Sequence, residues 1–221
     1  MSYYIDAELP HIFIHIPKTA GASILKVIQQ NYNYNVIPNY RTTYKNYHST
    51  LADFDNFLCE YNCSFYVFTI VRNPWSRAAS WFHFRKEVLR KGLKALSAGK
   101  HTKKVIEDYD LIVSEYEVMN KDFNIWLKNY YKQRWDHSWF SLFDTQSSWL
   151  ESSKCSIDKI IKFENLNKEI NEVSIFKNKI LPMYNKNPVN YRYVDMYNSE
   201  SINLIKNIYE IDIDNFKYTF K

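Results

Sequence analysis

A chain of 221 residues with 46% hydrophobic and 18% aromatic residues has the material for one ordinary domain with a full core, which excludes a disordered polymer. The formal charge of +5 favours an anionic ligand only weakly, and no Lys/Arg run is long enough to act as a nucleic-acid arm, so no nucleic-acid partner is expected. Three cysteines, Cys59, Cys63 and Cys155, are too few and odd in number for a disulfide framework.

Cys59 and Cys63 share a helix face at i, i+4, but a metal site needs two more convincing ligands, so no metal is expected. The longest apolar runs, residues 11–16 and 65–71, fall far short of the roughly 20 residues that span a bilayer. Residues 1–6 have neither the basic region nor the long apolar stretch of a signal peptide. The expectation is a cytoplasmic protein with no membrane span.

Strand and helix alternate along the chain. Residues 11–16 read as a short β-branched and aromatic strand. Residues 23–31 read as a helix with Ile24, Leu25 and Ile28 on one face, and residues 51–61 as a second helix. Residues 65–71 form a seven-residue run that is apolar but for Thr69, as expected of a strand covered on both faces. Asn73 and Pro74 then mark a helix start, with Asn as cap and Pro at the first position. Trp75, Ala78, Ala79 and Phe82 give that helix its buried face. Residues 92–102 read as a loop and 105–132 as one or two helices. Residues 159–163 read as a strand and 165–176 as a helix. Residues 199–209 read as a last amphipathic helix on Ile202, Ile205 and Ile208. This alternation predicts a single α/β domain over 1–221, with a parallel sheet flanked by helices.

The first strand runs into Pro17-Lys18-Thr19-Ala20-Gly21-Ala22-Ser23 and then a helix. The chain has only three glycines, and Gly21 falls in this turn. Small residues let backbone N–H groups approach an anion, and the helix N-terminus adds a partial positive charge. Lys18 adds a full charge, and Thr19 and Ser23 add hydroxyl donors. A plain strand-to-helix turn with a surface lysine accounts for the same residues. The pattern is not the P-loop of nucleoside triphosphatases, because lysine precedes glycine and the loop is shorter.

The second apolar strand leads to Arg72-Asn73-Pro74-Trp75-Ser76-Arg77, with Ser80 further on. Arg72 stands at the carboxyl end of the strand, where open α/β sheets bind ligands. A guanidinium there holds a phosphate through two hydrogen bonds, and Ser80 is placed to donate another. The plainer alternative pairs Arg72 with a carboxylate and leaves Asn73-Pro74 as a cap.

Taken together, His15-Ile16-Pro17-Lys18-Thr19-Ala20-Gly21-Ala22-Ser23 and Val71-Arg72-Asn73-Pro74-Trp75-Ser76-Arg77-Ala78-Ala79-Ser80 resemble the two cofactor motifs of sulfotransferases that use 3′-phosphoadenosine 5′-phosphosulfate (PAPS). The similarity is to the branch with carbohydrate sulfotransferases of the heparan and chondroitin type and their microbial relatives. It implies the nucleotide-kinase-like (P-loop-type) sulfotransferase fold. It also implies that Lys18, Thr19, Ala20, Gly21, Ala22 and Ser23 hold the 5′-phosphosulfate, and that Arg72 and Ser80 hold the 3′-phosphate. Tyr47 to Phe54 is similar to a His-containing segment between the two motifs. Gln146 with Trp149, and Lys162-Phe163-Glu164-Asn165-Leu166, resemble a later block that usually reads Arg-Phe-Glu, so Lys162 departs from the pattern. Asp212 to Tyr218 is similar to the family's usual ending.

The resemblance implies transfer of a sulfuryl group from PAPS, as co-substrate, to an acceptor hydroxyl, with a glycan as the expected acceptor. Lys18 is the candidate for stabilising the leaving oxygen. A general base is also needed, and histidine is poised near neutral pH. His48 matches the family's histidine and is the candidate catalytic base, with His137 as runner-up. His11 and His15 read as structural, His83 lies on the helix after the second motif, and His101 lies in a loop. Tyr130, Tyr131, Trp135, Trp139 and Trp149 are candidates for stacking on sugar rings, although such aromatics more often belong to the core. The loop at 185–188 resembles a late loop that closes over the nucleotide. Two other classes remain open. A nucleotide kinase would need Mg²⁺ ligands, whereas the buried strand here ends in Arg72-Asn73. A non-catalytic nucleotide- or glycan-binding module is disfavoured by the combination of Lys18, His48 and Arg72.

Overall fold

A computed structural model describes residues 2–36, 49–58, 64–99, 109–133, 144–182 and 191–221. His48, His101, His137, Cys59, Cys63, Trp135, Trp139 and the loop at 185–188 lie outside the described residues. The strands are β1 (Tyr3–Asp6), β2 (His11–Ile14), β3 (Asn33–Val36), β4 (Tyr66–Val71) and β5 (Lys159–Lys162). The helices are α1 (Gly21–Asn31), α2 (Leu51–Leu58), α3 (Pro74–Ser97), α4 (Tyr109–Lys121), α5 (Phe123–Gln133), the short α6 (Leu166–Glu169), α7 (Ser199–Ile208) and α8 (Glu210–Phe216). They fall into two compact units. One comprises the described parts of 1–73, 138–186 and 211–218, and the other those of 74–137, 187–210 and 219–221.

The first unit is built on a five-stranded sheet in the order β3-β1-β2-β4-β5. β2, β4 and β5 run parallel, as the strand–helix alternation predicts. β1 is antiparallel to both β2 and β3, so the expectation of a wholly parallel sheet is corrected to a mixed one. The chain between β1 and β2 is too short for the crossover that a parallel pair requires. β1 buries only Tyr3 and Ile5 fully, and β3 leaves Asn33, Asn35 and Val36 exposed, so neither shows an apolar run in the sequence.

Alternate residues of the central strands face opposite sides of the sheet. Phe13, Phe68, Ile70 and Ile161 pack with Ile24, Val27 and Ile28 of α1. Ile12, Ile14 and Val67 pack with Leu51 and Phe54 of α2. β4 is therefore covered on both faces, as its apolar run predicts. The helix expected over 165–176 is instead α6 followed by 3₁₀ turns at Ile170–Glu172 and Ser174–Phe176. The buried residues Ile170, Val173 and Phe176 recur every three positions, which suits a 3₁₀ turn better than an α-helix.

In the second unit α3 starts at Pro74 and buries Trp75, Ala78, Ala79 and Phe82, as expected. It continues through Gly92 to Ser97, where a loop is expected from the sequence. Leu93, Lys94, Ala95 and Leu96 are strong helix formers and outweigh the one glycine, whose helix penalty is about 1 kcal/mol. Phe82 meets Phe123 and Trp126 edge to face, with centroids 5.1 and 5.0 Å apart. Arg85 and Glu115 form a buried ion pair at 2.6 Å, and Trp126 Nε1 donates to the same carboxylate at 3.1 Å. The described part of the 105–132 region contains two helices, with the Ile125 N–H donating to Asp122 Oδ1 at 2.8 Å where the second begins.

Candidate functional site

β2 leads into a turn at 15–20, and α1 begins at Gly21. Lys18 and Ala20 hold left-handed backbone conformations, with φ of 70° and 72°. Each costs about 1–2 kcal/mol for a residue with a Cβ. Such strain persists where the surroundings over-determine it, often around a ligand. Gly21 is not left-handed. A Cβ on it would meet His15 Nε2 at 1.7 Å, and the His15 ring stacks on Phe13 with centroids 5.7 Å apart. Glycine is needed here so that a histidine ring can lie directly against the helix start.

α1 opens with no side-chain cap and no acidic residue in its first turn. The helix start therefore keeps its partial positive charge with no acidic residue in its first turn to offset it. Thr19 uses its hydroxyl within the turn. Its Oγ1 donates to the Ile16 carbonyl at 2.7 Å and is fully buried, so the hydroxyl closes the turn. Ser23 is buried in the first turn of α1, and Ala22 is half-buried.

Arg72 follows the last residue of β4. Its Nη1 donates to the Lys18 carbonyl oxygen at 3.2 Å, and its guanidinium carbon lies 4.2 Å from the centroid of the Phe163 ring. Two motifs 54 residues apart in the sequence thus meet at the carboxyl ends of the parallel strands β2 and β4. Burial, and after it the charge of Arg72, pushes the Lys18 ammonium down to about 7. The family model described as the sulfotransferase family matches residues 2–219.

The chain belongs to the sulfotransferase family. No curated protein and no solved structure matches it. Membership makes the protein a transferase acting on an acceptor substrate, and the match runs through both compact units.

The later blocks of this sulfotransferase surround Arg72. The Asn73 N–H donates to Glu164 Oε1 at 2.9 Å, and Tyr218 OH donates to Glu164 Oε2 at 3.2 Å. Lys162, the departure from Arg, places Nζ 5.0 Å from the Tyr218 ring centroid. The sequence flags these blocks only by resemblance. Their convergence on one turn depends on contacts far apart in the chain.

Ser80 is half-buried on α3 in the second unit. Beside His48, the Ser49 carbonyl accepts from Ser2 Oγ at 2.6 Å, and Ser2 Oγ accepts from the His15 N–H at 3.2 Å. The residues following His48 are thereby tied to the strand end that enters the Lys18 turn. Thr50 N–H and Oγ1 donate to Asp53 Oδ2 at 2.7 and 2.9 Å and start α2.

Two of the aromatics considered for sugar stacking are core residues in this sulfotransferase. Tyr130 is 1% exposed and stacks on Trp126 with centroids 5.1 Å apart. Trp149 is buried with Ile16, Val71, Phe216 and Tyr218. Tyr131 is half-buried, with its hydroxyl 2.6 Å from that of Tyr209. His11 is buried, with Nδ1 2.6 Å from the Leu9 carbonyl oxygen and Nε2 3.1 Å from Ser174 Oγ, a packing role as expected. Among the described residues no helix is long and apolar enough to cross a membrane, and no group of His, Cys, Asp or Glu is arranged to hold a metal ion.

Proposed function

We propose that this sulfotransferase moves a sulfuryl group from PAPS to a hydroxyl of a carbohydrate acceptor. We propose further that residues 1–221 work as one domain of the nucleotide-kinase-like kind. The observation that carries the reading is the hydrogen bond from the Arg72 guanidinium to the Lys18 main-chain carbonyl, which brings two basic residues together at the start of a helix with no side-chain cap. The residues fit an anionic nucleotide. Two cations, a left-handed turn at 18–20 and a helix start free of acid favour phosphate. The carbohydrate acceptor rests on the resemblance of both motifs to the carbohydrate branch.

PAPS supplies a sulfuryl group already activated by its bond to the 5′-phosphate. As the acceptor oxygen forms a new S–O bond, that bond breaks and charge grows on the phosphate oxygen. Lys18 meets that charge. The backbone of residues 19–23 holds the 5′-phosphate, and Arg72 with Ser80 holds the 3′-phosphate. His48 takes the acceptor proton. Catalysis of this kind is largely positioning and electrostatics.

The test is transfer from sulfate-labelled PAPS to a panel of glycans. Label on at least one glycan supports the reading. Stabilisation by ATP with Mg²⁺ but not by PAP, the desulfated nucleotide, would move the chain to the kinase class.

A further inference from the structure

The pairing of β4 with β5 ends at Val71, which pairs with Lys162. Arg72 is the next residue, and a side chain takes over. Gln146 Oε1 accepts from the Arg72 N–H at 2.8 Å, while Gln146 Nε2 donates to the Arg72 carbonyl oxygen at 2.8 Å. One primary amide thus answers both polar groups of one residue, as a neighbouring strand would. Only a side chain with an acceptor and a donor in one plane can do this. Glutamate lacks the donor, leucine lacks both, and asparagine is one methylene shorter.

Gln146 is itself held from behind. Its own N–H donates to Asp212 Oδ2 at 2.7 Å, and its Nε2 lies 3.4 Å from the same oxygen. The Ser147 N–H and Oγ donate to Asp212 Oδ1 at 2.8 and 2.9 Å. Gln146 and Asp212 are both fully buried. A carboxylate with several donors on it is a stiff anchor, and a buried amide cannot be released without leaving polar groups unmatched. The line runs from α8 through Asp212 and Gln146 to the backbone of Arg72, and from there to a guanidinium seated between Phe163 and the Lys18 carbonyl.

We propose that Gln146 and Asp212 are positioning residues that aim Arg72, and that they set how strongly the enzyme prefers a 3′-phosphorylated nucleotide to one with a free 3′-hydroxyl. This rests on the assignment of the 3′-phosphate to Arg72. A bidentate guanidinium contact is sensitive to aim, whereas the 5′-phosphate is held by the backbone of the 18–23 turn, which this latch touches only through the one Arg72 bond to the Lys18 carbonyl.

The experiment is calorimetric titration of PAP and of 5′-AMP into Gln146→Leu, Asp212→Asn, Arg72→Ala and the double variant Arg72→Ala/Gln146→Leu, all at a temperature where each is folded. We expect Gln146→Leu to weaken PAP about tenfold and leave 5′-AMP within about twofold, the scale of losing a pair of neutral hydrogen bonds. Asp212→Asn, which keeps the shape and one acceptor, should move the ratio in the same direction by less. In the Arg72→Ala background the Gln146 change should no longer alter the ratio, because it acts through Arg72. An equal loss of both nucleotides in Gln146→Leu and Asp212→Asn would mean a purely structural part and overturn the proposal. An unchanged ratio in both, with a collapsed ratio in Arg72→Ala, would overturn the latch and keep the 3′-phosphate assignment. An unchanged ratio in Arg72→Ala would overturn the assignment and the latch together.

Discussion

The guanidinium of Arg72 is hydrogen-bonded to the main-chain carbonyl of Lys18 at 3.2 Å. An arginine at the end of one parallel strand thereby braces the strained turn that ends its neighbour. Lys18 has φ of 70°, and the bond from Arg72 is one of the contacts that keep it there. If Arg72 also holds the 3′-phosphate, Arg72→Ala should weaken PAP by about 1.5–3 kcal/mol, the range for a hydrogen bond to a charged group. Calorimetry with PAP measures this, and an unchanged affinity would remove Arg72 from the site.

Lys18 also implies a proton count. Its ammonium titrates near 7 in the free protein because burial and Arg72 disfavour charge. A bound phosphate favours the charged form and raises that value. Binding of PAP at about pH 8 should therefore take up close to one proton, and much less at about pH 6, where Lys18 is already charged. The sign is fixed: affinity falls as pH rises above 7. Titrations in two buffers of different ionisation enthalpy count the proton, and Lys18→Met should abolish the uptake. An equal uptake in that variant would assign the proton to another group.

The same depressed value affects stability. Between about 7 and the usual 10.5 of an unfolded lysine, the unfolded chain binds the extra proton. The Lys18 contribution therefore makes the fold more stable as pH rises through that window. Denaturant titrations of wild type and Lys18→Met across the window should differ in slope with this sign.

How much of this was legible in the sequence differs from residue to residue. β4 and the start of α3 were legible because a nearly unbroken apolar run and an Asn-Pro break are local signals. Arg72 was placed correctly at the strand end for the same reason. β1 and β3 were not, because both are only four residues long and β3 is an edge strand with three exposed residues, which leaves almost no periodicity. The sequence offers Gly21 as a small residue that lets backbone N–H groups approach an anion. The left-handed positions are Lys18 and Ala20, and Gly21 is small for the sake of His15. Gln146 and Asp212 act across 74 and 66 residues, a relationship that no local pattern encodes.

Gly21→Ala tests that close approach. The added methyl must displace the His15 ring, which is stacked on Phe13. Overpacking of this kind costs about 1–3 kcal/mol. Denaturant unfolding should show the loss, and His15→Ala in the same chain should recover most of it. No recovery would mean that the backbone itself rejects the methyl.

His48 is the proposed base. His48→Ala should leave PAP affinity nearly intact and lower turnover by about 10²–10⁴, the usual scale for general-base catalysis. Activity that survives in His48→Ala and disappears in His137→Ala would transfer the assignment to His137.

Lys18 tests the account most directly. An interaction that strengthens as the S–O bond breaks lowers turnover when it is removed, beyond any loss of affinity. Lys18→Met keeps most of the side-chain stem and deletes the charge. The measurement is single-turnover transfer from saturating PAPS to an accepted glycan, wild type against Lys18→Met. The account predicts a rate lower by at least about 10², the scale for one well-placed electrostatic stabiliser. A wild-type rate in Lys18→Met would contradict it and place the stabilisation of the leaving oxygen elsewhere.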